Sequence, residues 1–135
     1  MDHWSRSYIS TPYEKLNCAE LVEKVQSDVF NRCFKFPQTD GNVFTESRRI
    51  KQEFERYVVP EKAKILEDGD LVLMNAKFEM AHVGVLCIVR GKLHVLHSSK
   101  TLGCVCLHKI SEIKNYGLFL RGVYKWQKLD TTKTL

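Results

Sequence analysis

The sequence predicts an α+β fold in which N-terminal helices pack on an antiparallel β-sheet. Two observations predict it. The signals for full helices lie in the first half of the 135-residue chain, and runs rich in β-branched residues, separated by turn residues, make up most of the second half. The pair Arg90-Gly91 joins two of these runs and is typical of a tight hairpin, so neighbouring strands should be antiparallel.

The first helix is predicted from about Cys18 to Phe34. Asn17 can accept a bond from the first turn as N-cap, and Glu20, three residues later, can complete a capping box. The pair Phe36-Pro37 ends the helical pattern, because proline cannot continue a helix. Cys18 is therefore expected to be the first helical residue, where the positive end of the helix dipole favours a thiolate.

A second helix is predicted from about Thr45 to Val58, where apolar residues recur at helical spacing and Pro60 follows. The first dozen residues, with Trp4, Tyr8, Ile9 and Pro12-Tyr13, predict a short helix or turn that packs an aromatic pair onto the rest of the domain. A helical turn is also expected near residues 111–114. The predicted strands are Asp70–Met74, His82–Val89, Lys92–Ser98, Gly103–His108 and Leu118–Trp126.

Length and composition indicate one domain over residues 1–135, with 44% hydrophobic and 27% charged residues. No run is long enough to span a membrane, and the N-terminus does not resemble a secretion signal. The five cysteines have no framework spacing and are expected to be reduced thiols. The net charge of +5 comes from scattered basic residues without interleaved aromatics, so no nucleic-acid partner is predicted. No cofactor is predicted.

A cysteine that opens a helix, followed by a histidine that opens a strand, is the order found in thiol hydrolases. Such enzymes need a thiolate, an imidazole within hydrogen-bond reach and a polar group that orients the imidazole. Cys18 and His82 are the candidates for the first two. His94 and His97 lie on the next strand, three positions apart, so they should face opposite sides of the sheet and only one can join His82.

Several segments together resemble the NlpC-type cell-wall cysteine peptidases, a papain-like family. The similar segments, in the family's order, are Leu16-Asn17-Cys18-Ala19-Glu20-Leu21-Val22, Gly69-Asp70-Leu71-Val72, His82-Val83-Gly84-Val85, Val95-Leu96-His97-Ser98-Ser99 with Gly103-Cys104-Val105, and Leu120-Arg121-Gly122-Val123-Tyr124. The resemblance implies a papain-like arrangement with Cys18 as nucleophile, His82 as base and His97 as the third residue. Counting along the hairpin keeps His94 as the fallback.

The N-terminal segment is similar to the branch of this family found in bacteriophage tails. Trp4, Tyr8-Ile9 and Pro12-Tyr13 carry that similarity. The resemblance implies that Tyr13, together with the backbone amide of Cys18, binds the oxyanion and substrate. The chain departs from the family pattern where Asn17 replaces an aspartate and where the loop between Tyr13 and Cys18 is shortened.

The resemblance implies a cysteine endopeptidase that cleaves peptidoglycan stem peptides. It would be carried at the phage tail tip as part of the virion after synthesis in the host cytoplasm, and would act on the cell wall or in the periplasm. Other tail proteins are then expected partners. Two alternatives stay open: a structural tail-tip or tail-assembly component with reduced or lost activity, and a protein-processing peptidase or acyltransferase that uses the same dyad.

Other titratable residues have simpler explanations. Cys104, Cys106 and His108 alternate on one strand but lack the paired spacing of zinc clips, so no metal site is predicted and His108 is expected to be a surface residue. His3 is expected on the surface near the chain end, and Asp70 is expected to cap a turn.

Overall fold

The computed structural model describes residues 3–33, 65–76 and 81–125. Its regular elements are a 3-10 helix (Trp4–Ser7), α1 (Cys18–Phe30), β1 (Leu71–Asn75), β2 (Ala81–Val89), β3 (Lys92–Ser99), β4 (Cys104–Lys109), a second 3-10 helix (Ile110–Tyr116) and β5 (Phe119–Tyr124). The predicted α+β class with an antiparallel sheet is confirmed. The predicted helix at residues 45–58 and the predicted end of the last strand at Trp126 lie outside the described residues.

The five strands form one sheet in the order β4-β3-β2-β1-β5, with every neighbouring pair antiparallel. Between β2 and β3 the chain turns at Arg90 and Gly91, which both have positive φ, as a two-residue hairpin requires. The register places Val85 opposite Leu96. Residues 82 and 97–99 therefore lie at the same end of the sheet, away from the hairpin turn.

Helix α1 begins as the sequence predicts. The Asn17 side chain accepts a bond from the Glu20 amide at 2.9 Å, and Glu20 Oε1 accepts one from the Asn17 amide at 3.1 Å, which completes the capping box. The predicted end at Phe34 is wrong. The helix ends at Phe30 because Asn31 adopts the left-handed conformation and the chain leaves the helix axis there.

The two faces of the sheet are covered differently. The helix face carries the core that packs against α1, and the opposite face, here called the histidine face, is covered by the second 3-10 helix and Leu118. The helix-face core includes Leu71, Leu73, Val83, Val85, Cys87, Leu96 and Val105; that of the histidine face includes Val72, Met74, Leu86, Val95 and Val123.

The N-terminal segment closes one side of the helix-face core. Trp4 makes edge-on contacts with Tyr8 and Phe30, as expected for an aromatic pair packed onto the domain.

The expectation that His3 lies on the surface is wrong, because its Nε2 lies 2.6 Å from Oδ2 of Asp68 and its side chain is 15% exposed. Asp70 accepts a bond from the Glu67 amide and pairs with Lys125, consistent with its expected role in a turn.

Candidate functional site

Three histidine side chains form a continuous chain of hydrogen bonds across three adjacent strands. His82 Nε2 on β2 lies 3.0 Å from His97 Nδ1 on β3, and His97 Nε2 lies 2.9 Å from His108 Nδ1 on β4. All three share the histidine face, since strand alternation puts His82 with Leu86, and His97 with Val95. The sheet register therefore holds the rings in a row.

The rings are held in their neutral form. Burial lowers the pKa of His82 to about 4. Burial, together with repulsion from His82 and His108 when they are charged, lowers the pKa of His97 to about 3. The pKa of His108 is also lowered, mainly by burial, while the carboxylate of Glu112 acts in the opposite direction. At neutral pH each ring thus has one N–H donor and one nitrogen lone pair.

Cys18 is the first residue of α1 and is 8% exposed. It belongs to the same core cluster as Val83 and Leu96, the chain neighbours of His82 and His97. A side-chain bond fixes this end of the helix: the Ser98 hydroxyl donates to the carbonyl of Leu16, two residues before Cys18. The start of α1 is thereby tied to the end of the sheet that carries the His82–His97 pair.

Tyr13 is anchored near the same end of the sheet. Its amide donates to the carbonyl of Gly103 at 2.9 Å, and the preceding Pro12 forms an isolated bridge with Cys104 at the start of β4. The short loop between Tyr13 and Cys18 thus runs from the β3–β4 turn to the helix start.

His94, the fallback for the third site residue, lies apart from this group. It pairs with Cys87, a residue of the helix face, and its Nδ1 donates to the carbonyl of Lys92 at 3.0 Å. Its ring lines an open cavity of about 640 Å³ near the β2–β3 hairpin, at the opposite end of the sheet from His82. The structure therefore pairs His97, and not His94, with His82; the catalytic roles stay predictions.

His108 is the site residue that the sequence interpretation missed. It was expected on the surface, but it is half-buried, bonded to His97 and stacked on Tyr116 with ring centroids 3.9 Å apart and planes 10° apart. Its alternation with Cys104 and Cys106 did signal a shared face. The pairing of Val95 with His108, which brings the ring beside His97, depends on a β3–β4 register that the sequence does not specify.

Thiols and imidazoles lie close together here, but they are not arranged around a metal. Each contact within the histidine chain is a hydrogen bond between two ring nitrogens, so the lone pair at each contact accepts an N–H from the neighbouring ring and is not available to a metal. Cys104 and Cys106 lie 3.9 Å apart at sulfur, and burial, with the contact to Cys104, raises the pKa of Cys106 to about 11. Across residues 3–33, 65–76 and 81–125, no group of three or more such side chains is placed to hold a metal ion.

In the same described ranges, no helix is both long enough and apolar enough to cross a bilayer.

No protein-family model matches the chain, and no curated protein matches it significantly. Among solved structures, the chain is similar to a Bacteroides fragilis protein whose crystal structure is described as that of a "putative xylanase". The two chains are 18% identical with a TM-score of 0.37, and the match covers 64% of this chain and 45% of that one, less than half of that protein's length.

Proposed function

We propose that this protein is a papain-like cysteine peptidase in which Cys18 is the nucleophile, His82 the general base and His97 the residue that orients His82. One observation carries the proposal: a partly buried His82–His97 hydrogen bond lies at the sheet end to which the start of α1 is tied. The motif resemblance to NlpC-type peptidases had pointed to the same residues from the sequence.

The ring geometry is consistent with a base at His82. Because Nε2 of His82 is bonded to His97, Nδ1 is the nitrogen left to meet the thiol. Cys18 packs with Val83 on the helix face, whereas His82 points to the opposite face of the strand. The thiol therefore has to meet the His82 ring around the end of the sheet and not over its middle. His82 is the second residue of β2, which satisfies that requirement.

In the proposed reaction, the thiol proton of Cys18 passes to Nδ1 of His82 and the thiolate attacks the carbonyl carbon of an amide. The amide of Cys18, at the first position of the helix, donates to the oxyanion, and Tyr13 is the proposed second donor. His82 returns the proton to the leaving amine as the C–N bond breaks, which leaves a thioester. Water then gives a proton to His82, attacks the thioester and releases the acid and the free thiol.

The proposed substrate is the stem peptide of peptidoglycan, and the proposed setting is a bacteriophage tail tip that opens the wall locally at infection. Both follow from the resemblance of the cysteine, histidine and N-terminal segments to that branch of the family. A net charge of +5 is compatible with an anionic wall polymer near the substrate.

The decisive test is incubation with purified muropeptides and product identification by mass spectrometry. We expect cleavage by the wild-type chain and its loss in Cys18→Ser, because a hydroxyl is a far poorer nucleophile beside an imidazole of this kind. Cys33→Ser is the matched control, since Cys33 is an exposed thiol outside the site. Absence of cleavage by the wild-type chain, or equal cleavage by Cys18→Ser, would contradict the proposal.

A structural role in the tail is the second candidate, and the 8% exposure of Cys18 favours it, since a nucleophile has to be reached by substrate. A phage carrying Cys18→Ser separates the two. Normal assembly with poor infection supports the enzyme, whereas unchanged infection supports the structural role. Failure to form tails would indicate that the cysteine acts during assembly, as a processing peptidase would.

A further inference from the structure

We propose that His108 is a positioning residue that sets the direction of proton donation along the His82–His97–His108 chain, so that Nδ1 of His82 carries a lone pair toward Cys18. The inference rests on the proposed function, which it deepens by adding a residue behind the third member of the site. It starts from the two ring contacts of 3.0 Å and 2.9 Å, which use both nitrogens of His97.

Counting protons leaves two arrangements. A neutral His97 has one N–H, so it donates through one contact and accepts through the other. In the outward arrangement, His82 Nε2–H donates to His97 Nδ1, and His97 Nε2–H donates to His108 Nδ1. In the inward arrangement both contacts reverse, and His108 Nδ1–H donates toward His97.

Only the outward arrangement suits a thiol peptidase. It puts the proton of neutral His82 on Nε2 and leaves the Nδ1 lone pair to accept the proton of Cys18. In the inward arrangement Nδ1 of His82 already carries a proton and cannot act as the base. The nitrogen of His108 that faces His97 therefore has to be an acceptor, although this ring does not touch the reacting atoms.

The surroundings of His108 hold its ring in place for this task. Tyr116, from the 3-10 helix after β4, stacks parallel to the ring at 3.9 Å. The β3–β4 register fixes the strand position, with His108 opposite Val95 and one residue pair away from Leu96–Leu107. With Nδ1 turned to His97, Nε2 of His108 is the nitrogen left to carry the proton.

The test is the tautomeric state of the rings, read from long-range ¹H–¹⁵N correlation spectra of the imidazole-labelled full chain at neutral pH. We expect Nε2 to be protonated and Nδ1 unprotonated in both His82 and His97. In His108→Phe, which keeps an aromatic ring for Tyr116 but removes the acceptor, His97 should lose this single tautomer. In His108→Asn, whose side-chain oxygen can replace Nδ1 as acceptor, it should be kept.

Nδ1–H rings in the wild-type chain, or unchanged tautomers in His108→Phe, would overturn the proposal. These spectra require no substrate, so they judge the inference even if muropeptides are not cleaved. Where cleavage is observed, kcat should fall about 10- to 100-fold in His108→Phe, as when a group orienting a histidine is removed, and should recover in His108→Asn with KM unchanged. Equal kcat in all three proteins would also overturn it.

Discussion

Gly84 lies beside His97 on the neighbouring strand: a Cβ at residue 84 would come within 3.2 Å of the His97 Cβ. The same Cβ would lie 2.6 Å from Cγ2 of Val95 and 2.8 Å from the carbonyl oxygen of Leu96. The glycine is needed for space, because β3 and its side chains occupy the volume that a side chain on β2 would take. The absence of a side chain at residue 84 allows the His97 ring to lie beside His82.

We expect Gly84→Ala to lower the free energy of unfolding by about 3 kcal/mol, since the carbonyl of Leu96 cannot move without disturbing the sheet. Urea denaturation measures this loss. Gly91→Ala is the control: residue 91 has positive φ but no atom within 4 Å of the added Cβ, so only backbone strain of about 1 kcal/mol applies. A smaller loss for Gly84→Ala than for Gly91→Ala would show that the contact is readily relieved.

Cys18 should react with iodoacetamide ahead of the other thiols at mildly acidic pH, because a helix N-terminus and a neighbouring base favour the thiolate. Burial raises the pKa values of Cys87 and Cys106, so these two should be the slowest. Peptide mapping by mass spectrometry after short labelling times gives the order. Exposed Cys33 provides the reference rate, and slower labelling of Cys18 than of Cys33 would contradict activation.

Replacing His97 by alanine should reduce turnover about 10- to 100-fold, because His82 loses the partner that orients its ring. His94→Ala is the matched control on the same strand. It should leave turnover unchanged, since the His94 ring lies near the β2–β3 hairpin, at the opposite end of the sheet from His82. Steady-state kinetics on muropeptides, with thermal unfolding measured in parallel, separates loss of catalysis from loss of fold. A larger loss of turnover in His94→Ala than in His97→Ala would instead assign the orientation of His82 to His94.

Acid should destabilise the protein through its buried histidines. The native-state pKa values of His82 and His97, about 4 and about 3, lie below the ordinary value of 6.5, so between these limits the unfolded chain binds more protons. The contribution of these two histidines to the free energy of unfolding is therefore fully present above about pH 6.5 and is lost as the pH falls toward 3. Thermal unfolding across this range should show a shallower decline for His97→Asn than for the wild-type chain. An unchanged slope would contradict the assigned burial effect.

The start of α1 could be predicted because its determinants are local: Asn17 and Glu20 lie within one turn of Cys18, and their bonds are present as expected. Its end could not, since it depends on Asn31 adopting a left-handed conformation that asparagine tolerates but does not require. The strands were predicted within one or two residues, because their β-branched runs and the Arg90-Gly91 turn are visible in the sequence.

The candidate site was predictable only in part, because only some of its contacts are determined by residues close together in the sequence. That His94 and His97 face opposite sides of the sheet follows from strand alternation alone. That His108 meets His97 depends on how β4 slides along β3, which is set by packing across the whole sheet and by the turn at residues 100–103.

The site requires that the turn between β2 and β3, at Arg90 and Gly91, keep its length of two residues. Lengthening or shortening that turn by one residue would shift β2 relative to β3, and the pleat would then carry His97 to the side where His94 now lies. The β3–β4 turn is constrained in the same way with respect to His108. Insertions and deletions in these two exposed turns should therefore damage the site more than substitutions do, and grafted peptides or labels belong elsewhere on the surface.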